Sequence, residues 1–248
     1  MKRILIVVTS HDRLGCTPEQ TGLWLEEFAA CYRRFIDSGF TVTVASPAGG
    51  AVPIDPRSLE GPFPAEEGRK FIAGRDPVLD DVRPLSQVDP GEFSALFYPG
   101  GHGPMWDLAC DRRNARIASD FFARNKPVGA LCHGAAALLK ARKRNGYPAV
   151  FGRRLTAFSN REELDIGYDG LLPFMLEDKL RSLGACFTAR ERWRPHVVVD
   201  GNLVTGQNPG SAPAAAAALL ELTARGERFM PPCPRHVWRF APGSLSGA

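Results

Sequence analysis

Lys126–Leu139, KPVGALCHGAAALL, is the stretch whose reading decides the fold. Pro127 to Leu131 is a short apolar run with the length of a buried parallel strand. Gly134 to Leu139 follows at once and is rich in helix formers. Cys132 and His133 therefore fall on an abrupt strand-to-helix turn, among the small residues Ala130, Gly134 and Ala135. Hydrolases build such a turn around Gly-x-Ser-x-Gly to lift a nucleophile above the sheet. A helix N-terminus there would favour the thiolate. The alternative is an inert buried thiol, since free cysteine is among the most buried residue types.

Outward from this stretch the pattern is α/β. Arg3–Thr9, Thr41–Ser46 and Ala95–Tyr98 read as strands, and helices are expected over 21–37 (capped by Thr21), 65–73 and 113–125. Strand and helix alternation implies a mostly parallel sheet covered on both faces. Beyond the turn, the pattern predicts a strand at 154–158, a helix over 171–183, a short strand at 186–188 and a hairpin over 196–205. An Ala-rich helix at 211–224 closes the domain. One domain over 1–225 and a Pro-rich C-terminal arm over 226–248 follow. The loop from Pro47 to Pro64 is too long for a plain connection and reads as a functional cover or partner surface.

Composition narrows the function. The 248 residues are 44% hydrophobic and 23% charged with a net charge of +4, as in an ordinary globular protein. The basic run Lys140–Arg144 lacks interleaved aromatics and reads as a solvated helix end, so no nucleic-acid partner is expected. The apolar run Ile4–Val8 is too short for a signal peptide or a membrane span. Six scattered cysteines without a C-x-x-C pair fit reduced thiols in a cytoplasm.

Three further stretches bear on Cys132. Tyr98–Leu108, YPGGHGPMWDL, ends a strand in Gly100-Gly101, where bare backbone can aim N–H groups at a bound oxygen. With the N–H of His133, that of Gly101 would form an oxyanion hole; Gly100 and His102 would border the substrate. On the first helix, a wheel puts Glu26 toward water and Glu27 at the margin of the apolar arc of Trp24, Leu25, Phe28, Tyr32, Phe35 and Ile36. A carboxyl withdrawn from water has a raised pKa, so Glu27 would hold its proton near neutral pH. In Phe158–Gly167, FSNREELDIG, Glu162, Glu163 or Asp165 could orient a histidine, or could merely cap a helix.

PGGHGPMWDL, ALCHG, TGLWLEEFA with SGFTVTVASPAGG, FSNREE and VVVDGNLVTGQNP together resemble the ThiJ/PfpI superfamily of class 1 glutamine-amidotransferase-like proteins. The likeness spans residues 1–222 and is nearest the glyoxalase III and heat-shock-chaperone-like branch. It implies a flavodoxin-like three-layer sandwich, usually dimeric, with its site at the carboxyl ends of the strands. It also implies Cys132, His133, Glu27 and Glu163 as the catalytic set, Glu27 because it stands twelve residues before Gly39. Cys31 departs from the pattern, standing where a proline is expected, and could add a second thiol to the pocket wall. The activity implied is glutathione-independent glyoxalase III chemistry (a D-lactate dehydratase, a lyase) on a small aldehyde such as methylglyoxal. It needs no cofactor, and His102, His133 and Glu27 lack the spacing of a metal site. A cysteine hydrolase (deglycase or amidase), a holdase chaperone and a redox stress protein stand as alternatives on the same fold.

Overall fold

The apolar runs are the strands of a seven-stranded sheet. The structure, a computed structural model, describes residues 2–60 and 65–229. In chain order the elements are β1 (Arg3–Val7), α1 (Leu25–Asp37), β2 (Thr41–Ser46), α2 (Glu66–Gly74) and β3 (Arg83–Pro84). Then come β4 (Ala95–Tyr98), α3 (Arg112–Ala123), β5 (Val128–Leu131), β6 (Arg154–Leu155), α4 (Asn160–Ile166) and α5 (Leu176–Ser182). β7 (Cys186–Phe187), β8 (Val197–Asp200), β9 (Leu203–Gly206) and α6 (Ala212–Phe229) complete the chain. The sheet runs β3-β2-β1-β4-β5-β9-β8, parallel throughout except for the β8–β9 hairpin, and β6 pairs with β7 in a separate two-stranded ribbon.

Successive side chains on β1 and β4 point to opposite faces, and both faces are buried. Leu5, Val7, Leu96 and Tyr98 pack with Ile117 and Phe121 of α3 on one side. Ile4, Ile6 and Phe97 pack with Phe28 and Phe35 of α1 and Leu219 of α6 on the other. This gives three layers. The strand order reverses between β1 and β4, so a crevice opens outside the carboxyl ends of β1, β4 and β5, where α/β sheets bind ligands.

Three expectations are corrected. Residues 132–138 form a run of 3-10 helix instead of an α-helix. The segment is buried along its whole length, and a Cβ at Gly134 would come within 2.5 Å of the Tyr98 and Pro99 carbonyl oxygens. Close packing against the end of β4 therefore overrides the propensity of the alanines. α1 starts at Leu25, with no side-chain cap, and Thr21 instead donates its hydroxyl to Asp55 at 2.9 Å. α6 continues through Gly226 to Phe229, past the helix end expected at 224; the remainder of the expected arm, with Cys233, lies outside the described residues. The 47–64 loop is tied down by isolated bridges, Ile54 to Leu23 ahead of α1 and Gly50 to Val82 ahead of β3. Residues 61–64 of that loop lie outside the described residues.

Candidate active site

Each group of interest stands just past the end of a strand or in the first turn of a helix. β5 delivers Cys132, whose φ of +55° is a left-handed conformation that a non-glycine residue adopts at a cost. The β4 loop delivers Gly100, Gly101 and His102, α1 delivers Glu27, and the first turn of α4 delivers Glu163. Ser159 and Glu162 fix that turn through a reciprocal capping box. Glu162 has no atom to spare for catalysis. Its oxygens accept from the Ser159 hydroxyl at 2.7 Å, the Trp193 N–H at 3.0 Å and the Asn208 amide at 2.8 Å. Asp165 is likewise occupied, by the Trp193 indole at 2.7 Å.

Glu163 is the carboxylate that meets histidine. Its Oε2 lies 2.6 Å from His133 Nε2 and its Oε1 lies 3.1 Å from His102 Nε2. On the far side of the His133 ring, Nδ1 lies 3.5 Å from Cys132 Sγ. Burial alone would raise Glu163, but the two imidazoles outweigh it and hold the carboxyl well below its usual range. An ionised carboxylate only accepts, so both rings donate an N–H from Nε2. In the neutral form of His133 the lone pair then stands on Nδ1, facing the sulfur.

Glu27 lies deeper than the wheel implied. It is fully buried, and its Oε2 accepts the Gly100 N–H at 2.7 Å. A Cβ on Gly100 would sit 2.7 Å from both Glu27 Oε2 and Cys132 Cβ, so the missing side chain lets the carboxyl come up beside the cysteine. Burial pushes Glu27 up to about 8, against the pull of the Gly100 N–H and of the Cys132 thiol, so the group is protonated at neutral pH. The thiol is near enough to act on that titration, although Oε1 has no hydrogen bond of ordinary geometry among the described residues. Cys132 itself is raised by burial, then by any charge on Glu27, with the His133 backbone N–H pulling the other way. Burial thus favours the thiol in the resting protein, against the thiolate that a helix N-terminus would favour. A short 3-10 segment offers too little dipole to offset full desolvation.

Glu26 corrects the wheel. It is only 7% exposed and accepts the Gly68 N–H at 2.8 Å, because α2 covers the outer side of α1. Cys31 is buried against α6, with its Sγ 3.6 Å from the Ala212 carbonyl oxygen; it does not line the cavity but lies within electrostatic reach of Glu27. Gly100, expected at the substrate, has its amide committed to Glu27 and lies behind the sulfur.

Cys132, His133, His102 and Gly101 open onto a cavity of about 130 Å³. Its other walls are mainly apolar, from Trp24, Phe158, Ile166, Tyr168, Trp193 and Pro209. That volume is well below the several hundred Å³ of drug-sized pockets, and it suits a molecule of a few heavy atoms. Arg57 is the wall residue that the sequence did not reveal. Its guanidinium is held by the buried Asp55, from Nε to Oδ1 at 2.8 Å and from Nη2 to Oδ2, and lies 4.6 Å over the Tyr168 ring. The signal was legible: Asp55-Pro56 is an N-cap followed by proline at N1, and it starts the 3-10 turn that carries Arg57.

His102, His133 and Glu163 could each offer a ligand atom within 4.8 Å of the others. Sequence spacing gave no hint of this, having joined the histidines to Glu27 instead. Both Nε2 atoms are already engaged with the carboxylate, so a cation there would have to displace those hydrogen bonds. Among the described residues no helix is long and apolar enough to cross a membrane.

A flavodoxin-like α/β sandwich with cysteine on a strained turn at the carboxyl end of its central strand defines the class of protein. The chain belongs to the DJ-1/PfpI family, whose model matches residues 21–222. It is 27% identical to the glutathione-independent glyoxalase HSP31 of Saccharomyces cerevisiae, over 89% of this chain and 97% of that one. It is 31% identical to the human glutamine amidotransferase-like class 1 domain-containing protein 1, over 81% of this chain and 88% of that one. Among solved structures, the Rapid Encystment Protein 24 kDa of Francisella tularensis superposes with a TM-score of 0.85 at 36% identity, covering 90% of this chain and 99% of that one.

Proposed function

We propose that the protein is a glutathione-independent glyoxalase III-type enzyme that converts methylglyoxal-like α-oxoaldehydes to 2-hydroxy acids. The observation that carries this is the Cys132–His133–Glu163 relay at the end of a small apolar cavity, with a neutral Glu27 against the sulfur. The similarity to glyoxalase HSP31 supports it.

In this reading Cys132 Sγ adds to the aldehyde carbon C1 while its proton passes to His133 Nδ1 and on to the C1 oxygen, giving a hemithioacetal. The Glu163 charge stabilises the imidazolium that forms in between. N–H groups of Gly101 and His133 hold the developing oxyanion. His133, neutral again, removes the C1 hydrogen as a proton and returns it to C2, while the C1 hydroxyl proton moves to the adjacent C2 oxygen. A 2-hydroxyacyl thioester remains on Cys132, and water hydrolyses it to the hydroxy acid and free thiol. Glu27, as a neutral donor, stabilises sulfur whenever it carries charge. A carboxylate in its place would repel the thiolate.

The same relay serves a cysteine hydrolase acting on amides, in which attack falls on an acyl carbon and no hydrogen moves between carbons. Purified protein given methylglyoxal without glutathione separates the two. Stoichiometric lactate is the expected product, and absence of lactate with release of amine from acyl amides would replace the lyase by the hydrolase.

A further inference from the structure

We propose that His102 is a positioning residue for proton transfer between Cys132 and His133: its ring N–H holds one oxygen of Glu163 so that the other is aimed at His133. The inference rests on the relay of the proposed function and extends it to a residue that the relay itself does not include.

Glu163 extends from a short helix, and a carboxylate held at one oxygen can swing about its last torsion. Here it is held at both, 2.6 Å from His133 and 3.1 Å from His102. The ring of His102 is itself braced. Its centroid lies 4.1 Å from that of His133, and the Tyr168 ring stands edge-on to it at 5.5 Å. The other nitrogen, Nδ1, is buried and has no partner among the described residues. Sealing an unpaired acceptor away from water is unfavourable, a cost that phenylalanine in the same place would avoid. The bond from Nε2 to Glu163 is the compensation visible in the fold.

His102 is also electrically suited to this task. Burial, then His133, lower it to about 4, with Arg57 acting in the same direction and Glu163 opposing. It therefore donates to Glu163 as a neutral group and leaves the carboxylate charge intact for the His133 imidazolium. The charged and titratable groups facing the relay are Glu163 on α4, His133 after β5, Arg57 from the 47–64 loop, Tyr168 against His102, and Glu27 and Glu162, which act on Cys132.

Iodoacetamide alkylation of Cys132, followed on its peptide by mass spectrometry across pH, tests this without any substrate. His102→Leu removes the donor, His102→Asn leaves an amide too short to reach Glu163, and His102→Gln keeps a neutral N–H near Nε2. Losing one hydrogen bond to a charged group should slow alkylation at neutral pH about tenfold and move the profile to higher pH. That is expected for Leu and Asn, with Gln recovering most of the rate, at thermal midpoints that show all four proteins folded. If Leu unfolds, Asn against Gln carries the same comparison. A parent-like profile in Asn, or equal slowing in Gln and Asn, would overturn the proposal. An intact parent profile with no lactate from methylglyoxal would refute the glyoxalase reading alone.

Discussion

Replacing Glu27 by glutamine should make the protein relatively more stable at alkaline pH. Glu27 is fully buried, and its carboxyl is raised from 4.5 to about 8 by that burial. The folded chain therefore binds this proton more tightly than the unfolded chain does. Its favourable contribution is complete below the unfolded value of 4.5 and is lost progressively until pH passes about 8. At about 1.36 kcal/mol per pH unit, the loss across that window is on the order of 5 kcal/mol. Glutamine keeps an acceptor for the Gly100 N–H and cannot ionise, so it escapes the loss. Urea unfolding of both proteins from acid to alkaline pH gives the difference directly, because other groups titrate alike in the two. Cys132, Cys31 and Glu26 are coupled to Glu27 and are the exceptions, and Cys132→Ser, Cys31→Ser and Glu26→Gln in both backgrounds remove them. The stability difference should shift toward the glutamine variant by several kcal/mol between about pH 5 and about pH 9. Parallel curves would show that Glu27 ionises at its ordinary value in the fold, and the reasoning from burial would fail.

Three other outcomes follow from the same geometry. Cys132→Ser should abolish lactate formation, whereas Cys16→Ser and Cys110→Ser, at exposed thiols, should retain parent rates. Glu163→Ala should cut kcat by about a hundredfold or more, as losing a general-base partner does, and should also lower melting, because it leaves the buried His133 and His102 N–H groups unpaired. Glu162→Ala should lower stability by about 2–3 kcal/mol, because it leaves the buried Ser159 and Asn208 donors unpaired, but should keep kcat within a few-fold of the parent, so kcat of the folded proteins sorts the two. kcat/KM should decline as pH rises through about 8, when Glu27 ionises beside the sulfur; a profile still rising there would contradict a protonated Glu27.

The central strands were legible because each is buried on both faces and therefore reads as an unbroken apolar run, as in β1 and β5. β3 was not, since two residues with a proline on a sheet edge carry no periodicity. The wheel found Glu27 but misplaced Glu26, because it allowed α1 one buried side while α2 covers another. Cys132 and His133 were marked by the strand-to-turn pattern, and Glu163 by family resemblance more than by chemistry, since three acids lay within four residues. Nothing in the chain announces that His102 shares Glu163 with His133, for they stand 61 positions apart and meet only through the fold. The alanine run misled in the other direction: local propensity for an α-helix gave way to a backbone contact at Gly134.

The most direct test is to quench the protein with acid during turnover of methylglyoxal and map the peptides by mass spectrometry. The peptide carrying Cys132 should gain the mass of one methylglyoxal, as the hemithioacetal or the isomeric hydroxyacyl thioester, and should lose it once substrate is exhausted. Turnover that leaves this peptide unmodified, or that survives Cys132→Ser, would contradict a covalent mechanism at Cys132.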